Sequence, residues 1–262
     1  MISFFNGLDF TIQALIASLF TWFVTICGAA IVFLFKKVNK NIMDAMLGFA
    51  SGVMIAASFW SLLSPSIDMS NSLGLCAWFT ILIGFMGGGI LLFTGDKIYE
   101  HVTDRSDSKL KRIILLIFSI TLHNIPEGMA VGVAFGSLAY SLDGATLTNS
   151  CMLALGIGLQ NFPEGAAVSL PLRREGFSRG KAFLYGSLSG IVEPISAVIG
   201  ALLVLKVRWL LPYLLAFAAG AMIYVVTQEL IPESQTNERK SLMALFTLIG
   251  FSVMMVLDVG LS

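Results

Sequence analysis

The sequence predicts an all-α membrane protein of eight transmembrane helices, on the strength of its composition, the spacing of its apolar runs and a polar motif that occurs twice. Of 262 residues, 56% are hydrophobic and only 12% are charged, against roughly 25% charged in soluble domains. Apolar runs occupy residues 10–35, 44–63, 75–98, 113–137, 150–172, 182–205, 210–231 and 241–260. Each is about long enough to cross a hydrocarbon core as a helix. The first run lacks a small-residue cleavage site and reads as a retained helix, not a removed signal. Residues 1–262 therefore read as a single polytopic domain, with no segment left for a soluble or nucleic-acid-binding unit.

Basic residues set the expected orientation. Lys36, Lys37 and Lys40 follow the first run; Lys97, Arg105, Lys109, Lys111 and Arg112 follow the third; Arg173, Arg174, Arg179 and Lys181 follow the fifth; Arg239 and Lys240 follow the seventh. These are 14 of the 16 basic residues, with Lys206 and Arg208 left for the other side. The positive-inside rule then places both termini outside the cytoplasm. Cys27, Cys76 and Cys151 are too few and too scattered for a disulfide framework or a zinc motif. The stretch 99–112, which holds the lone His101, reads as a solvated linker. Gly84 and Gly88 in the third run permit close helix approach.

The repeated motif is "TLHNIPEGMAV" at 121–131 and "GLQNFPEGAAV" at 158–168, on consecutive runs of opposite direction. A weaker echo pairs "GFASGVMIAASFWSLL" from residue 48 with "AFAAGAMIYVVTQELI" from residue 216. Together they predict an inverted repeat, helices 1–3 against helices 6–8 about a central pair, a 3+2+3 arrangement of the kind found in secondary transporters.

The motif puts polar groups where the solvent is hydrocarbon. His123 and Glu127 are four apart and share a helix face; Gln160 and Glu164 repeat that spacing on the next helix. Glu193, in "SGIVEPISA" of the sixth run, adds a third mid-membrane carboxylate. An ionised carboxylate there costs at least about 2.5–3.5 kcal/mol, and the central parts of the runs hold no Lys or Arg to neutralise it. A bound cation is the simplest source of positive charge. Pro126, Pro163 and Pro194 each remove a helix N–H and distort the preceding turn, while Asn124 and Asn161 add neutral oxygen. One imidazole nitrogen among carboxylates suits Zn²⁺, and the abundant oxygen also admits Mn²⁺, Fe²⁺ or Cd²⁺. Three carboxylates suggest a binuclear cluster bridged by Glu127 and Glu164. Asp96 and Glu229, near the inward ends of helices 3 and 7, read equally as snorkelling surface carboxylates and as exit-site ligands.

At these residues the sequence resembles the ZIP family of divalent metal transporters, whose fourth and fifth helices carry an "HNxPEG" motif and a related second copy. "EPISA", "QELIPES" and Gln160 in the second copy resemble the GufA-like branch, which has many bacterial members. The resemblance implies a transport site at His123, Asn124, Glu127, Gln160, Asn161, Glu164 and Glu193, with inner release ligands at Asp96 and Glu229. It also implies alternating access, a homodimer and residence in the cell membrane, the inner one in a bacterium. Asn161 stands where some relatives have an acidic residue, which weakens a second metal position.

The function expected is import of zinc-like divalent cations (Zn, also Cd, Mn or Fe) into the cytoplasm, with metal as cargo and no prosthetic group. No "GxxxxGK[ST]" pattern supports ATP drive. The competing classes are an intramembrane metalloenzyme, for which "HExxH" is missing, and a proton-coupled small-solute carrier.

Overall fold

A computed structural model describes residues 7–34, 40–103, 109–140, 145–174 and 176–261, without the side chains of 99–103, 109–120, 122, 123, 174, 208 and 261. Every regular element among these is helical. The elements join into rods that follow the apolar runs. α1 is Phe10–Ala29 with the short turn Ile31–Leu34; α2 is Lys40–Ala57, the π-helical turn Ser58–Leu63 and Ser64–Ser72; α3 is Ala77–Thr103; α4 is Lys109–Ser137. α5 is Leu147–Arg174; α6 is Arg179–Leu188 and Val192–Lys206; α7 is Leu211–Val225, the π-helical turn Val226–Leu230 and Ile231–Ser234; α8 is Lys240–Leu261.

Local chemistry explains the starts and breaks. Asp9 caps α1 by accepting from the Thr11 N–H at 2.8 Å, which satisfies one of the orphan donors at a helix start. Both π turns lie just ahead of a proline, Pro65 in α2 and Pro232 in α7. A proline ring clashes with the carbonyl four residues back, here Ser61 and Gln228, and the wider turn moves that carbonyl aside. This carries α2 to Ser72, beyond the expected end at 63. Likewise α3 runs to Thr103 and α4 starts at Lys109, so much of the expected 99–112 linker is helix; residues 104–108 lie outside the described residues.

Among the described residues, six rods are long and apolar enough to cross a membrane: α1, α2, α3, α6, α7 and α8. α4 and α5, at 29 and 28 residues, are long enough but carry the polar motif. Trp78, Leu82 and Ile90 of α3 and Leu248 and Val256 of α8 are exposed, an outer surface suited to lipid.

The main packing partners are α1 with α5, α4 with α6, α2 with α8 and α3 with α7. Glycine makes the last two contacts close: a Cβ on Gly250 would overlap the Phe49 main chain, and one on Gly88 the Phe217 main chain. Gly84 also abuts Ala216 and Tyr213, so the α3 glycines are packing positions. All three cysteines are free thiols.

Candidate metal centre

Three rods bring the centre together and a fourth, α1, braces it. The first motif copy lies inside α4, the second inside α5, and both stay helical through Pro126 and Pro163. Those prolines therefore do not break their helices as Pro194 does. At α6 the helix is interrupted after Leu188 and restarts at Val192, which leaves Glu193 in the first turn of the new segment. A carboxylate is favoured there, because the unsatisfied N–H groups of a helix start carry partial positive charge.

Asn124, Glu127, Gln160, Asn161 and Glu193 are all at most 1% exposed; Glu164 is half-buried. The two motif copies touch directly, since Gln160 Nε2 donates to Glu127 Oε1 at 2.6 Å. Asn161 Nδ2 donates to Glu193 Oε2 at 2.8 Å and to the Thr21 carbonyl at 3.3 Å. Asn124 Nδ2 donates to the Ser189 carbonyl at 3.0 Å. Glu127 stands within electrostatic reach of Glu164 and Glu193, and Glu164 within reach of Glu193 and Glu229. Glu229, half-buried in the π turn of α7, is thus linked to the centre. Asp96 is half-buried on α3, and among the described hydrogen bonds none joins it to this group. The side chain of His123 lies outside the described residues.

Each of the three amides is oriented by its NH₂ group, and each keeps its carbonyl oxygen unengaged. Asn124 Oδ1, Gln160 Oε1, Asn161 Oδ1 and Glu127 Oε2 are all buried without a hydrogen-bond partner. A buried acceptor left unsatisfied costs about 1–3 kcal/mol, so four on the two motif copies call for a physical reason. Oxygen atoms held in place with lone pairs available are what a hard or borderline divalent cation coordinates. Among the described residues, no three His, Cys, Asp or Glu side chains form a cage for a metal. The unpartnered donors described are three amide oxygens and one carboxylate oxygen.

The residues that the motif did not announce are Thr21, Thr25 and Ser189. Thr21 Oγ1 donates to Glu193 Oε2 at 2.5 Å, and Thr25 Oγ1 lies 3.3 Å from the Thr21 carbonyl and 3.4 Å from Glu193 Oε1. A signal for them was present in the sequence. Thr21 and Ser189, Thr25 and Glu193, Phe49 and Phe217, and Gly52 and Gly220 each lie 168 positions apart, so the echo noticed from residue 48 extends back through α1 without a gap.

Comparison with known proteins identifies the family. Residues 106–258 match the family described as ZIP Zinc transporter. Zinc transporter ZIP11 of Homo sapiens is 38% identical over 98% of this chain and 99% of its own length. The chain belongs to the ZIP zinc transporter family. Within the ZIP family it is also similar to zinc transporter GufA of Myxococcus xanthus, 34% identical over 95% of this chain and 98% of that one. Zinc transporter ZIPB of Bordetella bronchiseptica is 34% identical over 91% of this chain and 78% of its own. The ZIP match makes this chain a multi-pass membrane transporter of metal, with zinc the metal its relatives are named for, and not an enzyme.

Proposed function

We propose that the chain imports zinc-like divalent cations into the cytoplasm, binding them at mid-membrane between α4, α5 and α6. His123, Asn124, Glu127, Gln160, Asn161, Glu164 and Glu193 hold the ion, and Asp96 and Glu229 lie on the release path. The single observation that carries this reading is that the two motif copies, joined by the Gln160–Glu127 bond, bear four buried oxygens without a hydrogen-bond partner. The donor set supports one ion; the second position of a binuclear cluster would need Glu164 and Glu193 together.

The 3+2+3 inverted repeat is part of the proposal. Exchanging α1, α2, α3 and α4 for α6, α7, α8 and α5 turns the α1–α5 contact into α6–α4, and α2–α8 into α7–α3, which are the main contacts found. It also turns the Asn161 bond to the Thr21 carbonyl into the Asn124 bond to the Ser189 carbonyl. Such a repeat supports alternating access, with α1, α4, α5 and α6 moving against the remainder. A homodimer in the cell membrane, with both termini outside, completes the reading.

Purified protein in proteoliposomes of known orientation tests it, with uptake of Zn²⁺, Cd²⁺, Mn²⁺ and Fe²⁺ in competition and internal pH recorded. Metal accumulation is expected, with zinc the strongest competitor, and Glu127→Ala and Glu164→Ala should each abolish it while still inserting. Normal transport by both variants would place the site elsewhere. A proton-coupled solute carrier would take up no metal.

A further inference from the structure

α6 is interrupted where two N–H groups reach back three residues instead of four. The Ile191 N–H donates to the Leu188 carbonyl at 3.2 Å, and the Glu193 N–H to the Gly190 carbonyl at 3.0 Å, a carbonyl that Pro194, lacking an N–H, cannot serve. In a continuous helix those two N–H groups would serve the carbonyls of Ser187 and Ser189. Both carbonyls find donors on other helices instead. The Trp22 indole N–H of α1 donates to Ser187 at 2.8 Å, and the Asn124 amide of α4 to Ser189 at 3.0 Å. A carbonyl left without a donor in a membrane interior is costly. These two side chains therefore stabilise the break, which puts Glu193 in the first turn of the new segment.

Gly190, inside the break, faces the same indole. A Cβ there would lie 2.9 Å from Glu193 Oε1, 3.0 Å from Trp22 Cδ1 and 3.2 Å from Thr25 Cγ2. The carboxylate oxygen is the free end of a flexible side chain, whereas the indole is tied at its nitrogen and a β-branched threonine is stiff at χ1. A methyl group at 190 would therefore move the carboxylate first. Trp22 and Gly190 are also 168 positions apart, the interval of the internal echo, so they hold the same place in its two halves. Counterparts that meet compete for one volume, and the tryptophan on one side leaves room for glycine on the other.

We infer that Trp22 and Gly190 are positioning residues of the metal centre: Trp22 holds the α6 break, and Gly190 keeps clear the space in which the Glu193 carboxylate sits. This rests on the proposed metal site and deepens it. Neither residue offers the ion a donor atom, since glycine has no side chain and the indole nitrogen only donates. They act by fixing where Glu193 stands, as outer partners orient the ligands of metal sites generally.

The test is Cd²⁺ binding to the purified full-length chain, with the ion's surroundings read by ¹¹³Cd NMR and thermal unfolding followed on the same samples. Trp22→Phe, which keeps a ring but loses the N–H, and Gly190→Ala should each weaken binding about tenfold and displace the ¹¹³Cd resonance, with unfolding close to wild type. Gly180→Ala, where an added Cβ meets nothing within 4 Å, should match wild type in all three. In a Glu193→Ala background Gly190→Ala should cost no further affinity, because the group it displaces is gone. Additive losses in that pair would overturn the role given to Gly190. Unchanged affinity and resonance in Trp22→Phe would overturn the role given to Trp22. A lower unfolding temperature with the resonance unmoved would reduce both residues to packing. A wild-type chain that binds no Cd²⁺ would instead sink the metal site on which the inference stands.

Discussion

Gln160 and His123 occupy the same place in the two motif copies but offer a cation different atoms. Gln160 presents an amide oxygen, held by its 2.6 Å bond to Glu127 and free of any partner. Amide oxygen is a harder, weaker donor than imidazole nitrogen, so it holds Zn²⁺ and Cd²⁺ less firmly and disfavours Mn²⁺ less. For a carrier, looser holding eases release. Gln160→His should tighten Zn²⁺ and Cd²⁺ binding about tenfold, on the order of other changes to metal sites, and shift competition away from Mn²⁺. Turnover should be unchanged or reduced. Gln160→Ala should mainly weaken binding. Equilibrium binding and competitive uptake on the same variants check this, and unchanged ratios among the metals would leave Gln160 as a hydrogen-bonding strut alone.

The helices meet through backbone contacts that tolerate no side chain. Gly220 of α7 lies so close to Phe85 of α3 that an added Cβ would overlap its carbonyl, and Gly52 of α2 meets Thr247 of α8 in the same way. In lipid, helix association rests on such contacts, because lipid tails are as apolar as leucine. Gly220→Leu should therefore separate α3 from α7 and destabilise the fold by about 1–3 kcal/mol, the usual range for overpacking. The measurement is thermal unfolding in a fixed detergent, with Gly260→Leu as control, since that position meets only the Val256 side chain of its own helix. The two π turns belong to the same scale. Each sits before a proline, and the one in α7 carries Glu229 to within electrostatic reach of Glu164.

Across the whole molecule, α1, α4, α5 and α6 supply every hydrogen bond described in the proposed metal centre. A crevice of about 730 Å³ lies among α1, α2, α5 and α8, lined by Phe20, Val24, Ala45, Phe49, Phe162 and Phe246. If the first group moves against the second during transport, this gap must change shape. Ala45→Trp should then slow metal uptake strongly while leaving equilibrium Cd²⁺ binding unchanged, since the crevice lining includes none of the proposed metal ligands. Equal losses of both would point to misfolding instead. Orientation is tested separately: a cysteine at exposed Asp68 should react with an impermeant reagent from outside, and one at exposed Lys240 should not.

The sequence by itself determined the class, the family and the identity of the polar residues. Hydropathy marks helices in lipid because every backbone group must be satisfied within the helix, and the duplicated motif named Asn124, Glu127, Gln160, Asn161, Glu164 and Glu193 as the groups that hydrocarbon should have excluded. Helix ends were less legible: α2 continues to Ser72 because a π turn absorbs Pro65, and no local rule says that a proline will be absorbed. Thr21 and Thr25 carried only the faint signal of the 168-residue echo, because a hydroxyl in a membrane helix usually bonds to its own backbone, as Ser51 and Ser58 do here. Only the tertiary structure decided which oxygens are engaged and which are not. That division depends on where α1 and α6 fall against α5, a contact between residues 172 positions apart for Thr21 and Glu193. Spacing along one helix fixes which side chains share a face; it carries no information on which distant hydroxyl will arrive to hold one of them.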